Sequence, residues 1–125
     1  MTLDEFFEGQ DRSRGLYKAI EAAIGTIGPA EVRITKSQIA FRRKRGFAWA
    51  WIPGRYLHGK TAPLVLTIAL RRRDSSPRWK QIAGPYPGRF VHHLELYETN
   101  EIDDEIRALL TEAWDLAGQA TRIVL

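Results

Sequence analysis

TKSQIAFRRKRGFAWAW, residues Thr35–Trp51, sets four consecutive basic side chains, Arg42, Arg43, Lys44 and Arg45, between an alternating apolar run and three aromatics spaced two apart. Period-two alternation on both sides of a short charged break is the pattern of two antiparallel strands joined as a hairpin. A slip of one residue in that hairpin moves every side chain to the other face, so its register decides what is core and what meets water. With Lys44, Arg45 and Gly46 as a three-residue loop and glycine in the left-handed position, Arg43 pairs with Phe47, Phe41 with Trp49 and Ile39 with Trp51. Ile39, Phe41, Phe47, Trp49 and Trp51 are then expected in the core, and Gln38, Ala40, Arg42, Ala48 and Ala50 on the opposite face.

Working outward, further period-two segments fall at Glu31–Thr35, Gln38–Arg42, Phe47–Ile52, Leu64–Leu70 and Phe90–Tyr97, with a weaker one near Trp79–Ala83. Short turns between the first three imply antiparallel neighbours. Helical periodicity flanks this block. Leu16, Ala19, Ile20, Ala23, Ile24 and Ile27 share one helix face that Gly28-Pro29 ends, and Ile102, Ile106, Leu109, Leu110, Ala113 and Ala117 share another. Thr2 and Glu5 have the spacing of a capping box, and Asn100 or Asp103 caps the C-terminal helix. Asp103, Asp104 and Glu105 then read as helix-start acids rather than as a metal cluster. The expected fold is α+β: a single domain with a mostly antiparallel sheet of about five strands, and N-terminal and C-terminal helices packed on one face.

A chain of 125 residues can bury one core. It has no cysteine, which removes disulfides, thiolate chemistry and thiolate metal sites. The segment MTLDEFFEG lacks the basic flank of a secretory signal, and no apolar run approaches the roughly 18 residues of a membrane span. A soluble cytoplasmic protein with no membrane partner is expected. The net charge of +4 is unevenly laid out: residues 36–89 hold 13 basic and 1 acidic side chains, whereas residues 90–125 hold 2 and 8. Such segregation suits a protein that meets phosphates, and equally a basic sheet neutralised by acidic helices.

Candidate anion-binding residues follow from that charge. Arg33, Arg42 and His93 are expected on the sheet face away from the helices. Arg43, Lys44 and Arg45, the loop residues Arg55, His58 and Lys60, and the run Arg71, Arg72 and Arg73 rim it. His92 and His93 are adjacent on a strand and point to opposite faces, so they do not serve one site; His92 is expected in the core. No catalytic motif, metal-ligand spacing or cofactor fingerprint is present, and no recognised nucleic-acid module signature accompanies the basic runs.

The ordered series VRITKSQIAFRRKRGFAWAW, PGRYL, APLVLTIAL, SPRWK, PGRFVHHLELY and IDDEIRALLTEAW resembles the bacterial domain of unknown function number 5655, over about Phe6 to Trp114. That resemblance implies no activity, cofactor or site residue. A more distant likeness to iron-chaperone-like α+β domains implies only helices beside an antiparallel sheet. The expected function is a non-enzymatic binding module that engages an anionic partner, nucleic acid or an acidic protein, through the cationic face and loops. Two alternatives stand beside it: a homo-oligomerising module joined through the small-residue face or an edge strand, and an enzyme acting on a small anionic metabolite with His93 or His58 as acid/base.

Overall fold

Thr2 and Glu5 exchange both hydrogen bonds of a capping box at 3.0 and 3.1 Å, and so start a first short helix, α1 (Leu3–Phe6). The computed structural model describes residues 1–119. After α1 come α2 (Asp11–Ile27), β1 (Glu31–Ile34), β2 (Ile39–Arg42), β3 (Gly46–Trp51), β4 (Leu64–Leu70), β5 (Gln81–Tyr86), β6 (Arg89–Leu96) and α3 (Asp104–Gly118). Asp103 is the cap of α3, its carboxylate accepting from the Ile106 N–H at 3.1 Å. The fold is mixed α+β, with an N-terminal and a C-terminal helical layer on one face of a fully antiparallel sheet ordered β1-β2-β3-β4-β6-β5.

The sheet has six strands, one more than the periodicity alone supports. The weak segment near Trp79–Ala83 becomes β5, shifted to Gln81–Tyr86. Gly84-Pro85 masks it in the sequence, since proline cannot donate to a ladder, but β5 is an edge strand and the pairing is irregular between Ala83 and Tyr86. β4 lies at the centre and all seven of its residues are buried. The chain leaves β4, crosses to the edge as β5, and returns as β6 between the two.

The expected register of the β2–β3 hairpin is off by one. Ile39 faces Ala50, Ala40 faces Trp49, Phe41 faces Ala48 and Arg42 faces Gly46. The loop is Arg43–Arg45, and Gly46 is a strand residue without positive φ. A bulge at this point leaves Phe47 as an extra residue in β3, so that Phe47 and Ala48 are both buried on the helix side. Ala48 and Ala50 are therefore core, each 0% exposed, and Trp49 and Trp51 face away from the helices. The proposed small-residue outer face does not exist. Ala48 and Ala50 are needed inside because α3 packs across β3 and β4, where bulky side chains would hold it off. The aromatic volume of the core comes instead from Phe6, Phe7, Tyr17 and Phe41, whose rings follow one another at centroid spacings of 4.8, 5.3 and 5.9 Å.

Gly28 ends α2 as expected. Its φ of 169° is extended and open to any residue. A Cβ there would overlap the Trp114 indole, which lies against the Gly28 backbone and donates from Nε1 to the Pro29 carbonyl at 3.0 Å.

Candidate binding site on the open sheet face

One row of paired residues crosses the sheet on the side the helices leave open: Arg33, Ala40, Trp49, Thr67, His93 and Gln81. Trp51 stands two residues along β3 from Trp49, and Arg89 occupies the same face at the start of β6. Together with Tyr56 from the β3–β4 connection, these side chains surround a shallow concavity of about 480 Å³, completed by Ser37, Gln38 and Val91. The two indoles lean apart. Trp49 lies against Gly46, where a Cβ would come within 2.7 Å of its ring, while Trp51 leans toward β4 and β6. Tyr56 flanks Trp51 at 6.4 Å between centroids and is held by its hydroxyl donating to the Ser37 carbonyl at 3.2 Å.

A short relay fixes the floor. Trp51 Nε1–H donates to Thr67 Oγ1 at 2.9 Å, and Thr67 Oγ1 lies 2.7 Å from His93 Nδ1. Indole nitrogen can only donate, so the Thr67 oxygen accepts there; toward His93 Nδ1 the hydroxyl can donate or accept, according to the imidazole tautomer. The other ring nitrogen of His93 is Nε2. That atom has no hydrogen-bond partner among the described residues and is not buried, so it is open to the concavity or to solvent. Burial, and to a lesser degree His92, pushes the pKa of His93 below its ordinary value. The face thus presents a neutral imidazole near pH 7, flanked by a T-shaped contact with Trp51 at 6.0 Å.

Arg89 supplies the positive charge. Its guanidinium carbon sits 5.6 Å from the Trp49 ring centroid, and no carboxylate lies within ion-pair distance of it among the described residues. Arg42 is half-buried on the same face near the hairpin tip. Arg33 is paired with Glu31 at 2.8 Å, and Glu95 on β6 lies 3.9 Å from Lys80.

The remaining charged candidates go elsewhere, most of them to the helices. Arg43 Nη1 donates to the Trp114 carbonyl at 3.1 Å, the Lys44 N–H to Ala117 at 3.2 Å, and Arg45 Nη2 to Leu116 at 2.7 Å. These carbonyls belong to the C-terminal end of α3, where helical carbonyls run out of intrahelical donors; that of Leu116 also accepts from the Gln119 N–H at 3.2 Å. The basic tip is a C-cap. Arg72 pairs with Glu112 and Asp74 at 2.8 and 2.9 Å, Arg55 donates to the Phe6 carbonyl and covers the Phe6 ring, and Arg73 lies 5.5 Å from the Phe90 ring. His58, Lys60 and Arg71 are exposed, and His58 and Lys60 do not line the concavity. His92 is fully buried, accepting at Nε2 from the Asp74 N–H at 3.0 Å, with Nδ1 against the carbonyls of Ile68 and Phe90. Of the twelve sequence candidates, the concavity gathers His93 alone, with Arg42 and Arg33 outside its lining.

Sequence reasoning missed Trp49 and Trp51, which it assigned to the core, and it passed over Arg89 and Tyr56. The available signal was the alanine spacing: Ala48 and Ala50 suit a close helix contact as well as they suit an outer face. Among the described residues there is no group of three or more potential metal ligands, and no helix is long and apolar enough to cross a membrane.

No curated protein and no solved structure matches the chain. A match that covers residues 3–117, almost every residue described above, shows that the chain belongs to the family described as domain of unknown function DUF5655.

Proposed function

We propose that the chain is a non-enzymatic binding module that engages an anionic partner on its open sheet face. The observation that carries this reading is the pair Trp49 and Trp51, turned away from the core and grouped with Tyr56, His93 and an arginine that has no carboxylate partner among the described residues. Large aromatics left partly in water around a concavity are the usual mark of a contact surface, and Arg89 and Arg42 give it a sign. The test is fluorescence anisotropy at low salt with labelled polyanions, an oligonucleotide and an acidic peptide, against the intact chain and Arg89→Glu. Binding that weakens in the variant and with added salt supports the reading; no binding to any polyanion sinks it.

Self-association has one observation in its favour. β1 is a short edge strand with Val32 40% exposed, beside a groove lined by Ile24, Pro29 and Phe41. A strict monomer in light scattering across a wide concentration range removes it. An enzymatic role for His93 or His58 has less behind it, because Thr67 occupies His93 Nδ1 and His58 stands outside the concavity.

A further inference from the structure

We propose that the partner of the open face is a single-stranded nucleic acid, with bases stacked on Trp49 and Trp51 and the backbone passing Arg89 and Arg42. This rests on the reading of that face as an anion-binding surface, and it narrows the partner by chemistry.

The two indoles are two residues apart on one strand, a step of roughly 6.5–7 Å along β3. They lean in opposite directions, Trp49 toward Gly46 and Trp51 toward Thr67. They therefore offer two separate ring faces and do not stack on each other. Such a surface is matched by a ligand that brings several planar rings on a flexible anionic backbone. A single strand does so, and base–aromatic stacking tolerates any sequence because every base has a π-face. An acidic peptide would satisfy Arg89 and leave the indoles facing water. A duplex keeps its base faces inside its own stack, and a groove-reading protein uses a protruding helix or ribbon, which this sheet face lacks.

Charge and shape agree with that choice. The Arg89 guanidinium carbon sits 5.6 Å from the Trp49 ring centroid, so a base stacking on that ring takes the place of the guanidinium and leaves it beside the phosphate, a cation with no competing carboxylate among the described residues. The concavity of about 480 Å³ is open along the sheet, with room for a nucleotide or two and no closed pocket for a single metabolite. His93 adds a neutral ring nitrogen, Nε2, to its floor, suited to hydrogen bonding with a base edge.

The experiment titrates the intact chain with a labelled oligothymidylate of about a dozen nucleotides, the corresponding oligouridylate, a duplex of the same length and a polyglutamate peptide of matched charge. Anisotropy is read at about 50 mM salt and again at about 200 mM. Both single strands are expected to bind at least about tenfold tighter than duplex or peptide. Trp49→Ala and Trp51→Ala should each weaken binding by about fivefold or more, and Arg89→Glu should lower both affinity and salt slope. Should an alanine variant fail to fold, the indole N–H signals of the intact chain replace it: those of Trp49 and Trp51 should shift on titration while those of Trp79 and Trp114 stay. Peptide or duplex binding as tight as single strands, or single-strand binding that ignores both tryptophans, overturns this proposal and leaves the anion-binding reading standing if Arg89→Glu still matters. Absence of binding to every polyanion removes both.

Discussion

The Arg43 guanidinium lies 3.4 Å from the centroid of the Trp114 indole while donating to the Trp114 backbone carbonyl at 3.1 Å. One arginine at a hairpin tip thus grips the ring and the main chain of one helical residue 71 positions away. Gly118 makes room for it, since a Cβ there would overlap the guanidinium.

Replacing Arg43 by alanine should cost about 2–4 kcal/mol, the sum of an exposed cation–π contact and a charged hydrogen bond. Lys44→Ala should stay within about 0.5 kcal/mol, because Lys44 contributes through its backbone N–H. Urea denaturation checks both, and equal behaviour of the two variants contradicts a clamp made by the Arg43 side chain.

The observed register makes Ala50 a core residue and Ala40 an outer one. Ala50→Leu should lose about 1–3 kcal/mol by overpacking against α3, while Ala40→Leu should be close to neutral. Near-neutral behaviour of both variants in thermal unfolding would restore the register with Phe41 opposite Trp49, which puts both alanines on the outer face.

Thr67→Val removes the oxygen on which Trp51 and His93 converge. In the intact chain, nitrogen shifts measured by NMR near neutral pH should report a single tautomer of His93, and in the variant that single-tautomer signature should be lost. Stability should fall by about 1–2 kcal/mol, since the Trp51 N–H loses its acceptor in a partly buried setting. An unchanged His93 spectrum would show that Thr67 does not set the tautomer.

Acid should weaken the fold before the carboxylates titrate. Burial holds His92 below its ordinary value of 6.5, and His93 shifts the same way. As pH falls through that value the unfolded chain takes up protons first, so the contribution of each neutral histidine is complete above about pH 6.5 and declines below it. Asp74 and Asp103 are themselves held below 3.8, against the cost of their burial, by hydrogen bonds: from Trp79, the Ser76 N–H and Arg72 to Asp74, and from Arg78 and the Ile106 N–H to Asp103. Their loss therefore comes only in stronger acid. Urea unfolding near pH 7.5 and 5.5 should show less stability at the lower value, with a smaller difference in His92→Asn. A flat profile in the parent would mean that both histidines titrate normally.

Much of the architecture was legible because it depends on local rules. The Thr2–Glu5 box and the two amphipathic faces follow from spacing, and the structure has them; spacing left the cap of the C-terminal helix between Asn100 and Asp103, and the structure uses Asp103. The hairpin register was not legible. It depends on where α3 docks: the carbonyls of Leu116 and Ala117 hold the tip, and the helix requires small residues beneath it. Gly46 suggested a turn glycine, yet it is there for the Trp49 ring. The basic segment suggested phosphates, and the fold directs Arg43, Arg45, Arg72 and Arg78 to the carbonyl end and the acids of α3. Net charge along a chain does not reveal how much of it is left for a partner.

Arg78 binds Asp103, Glu105 and the Glu101 carbonyl at the start of α3, and the hairpin tip binds its end. Helix termini ordinarily fray on their own, at little cost in free energy. Here both termini are tied to separate connections of the sheet, the one between β4 and β5 and the one between β2 and β3, so neither end of α3 can open without breaking long-range contacts. The C-terminal helix and the sheet therefore form one cooperative unit, and the open face keeps a rigid backing.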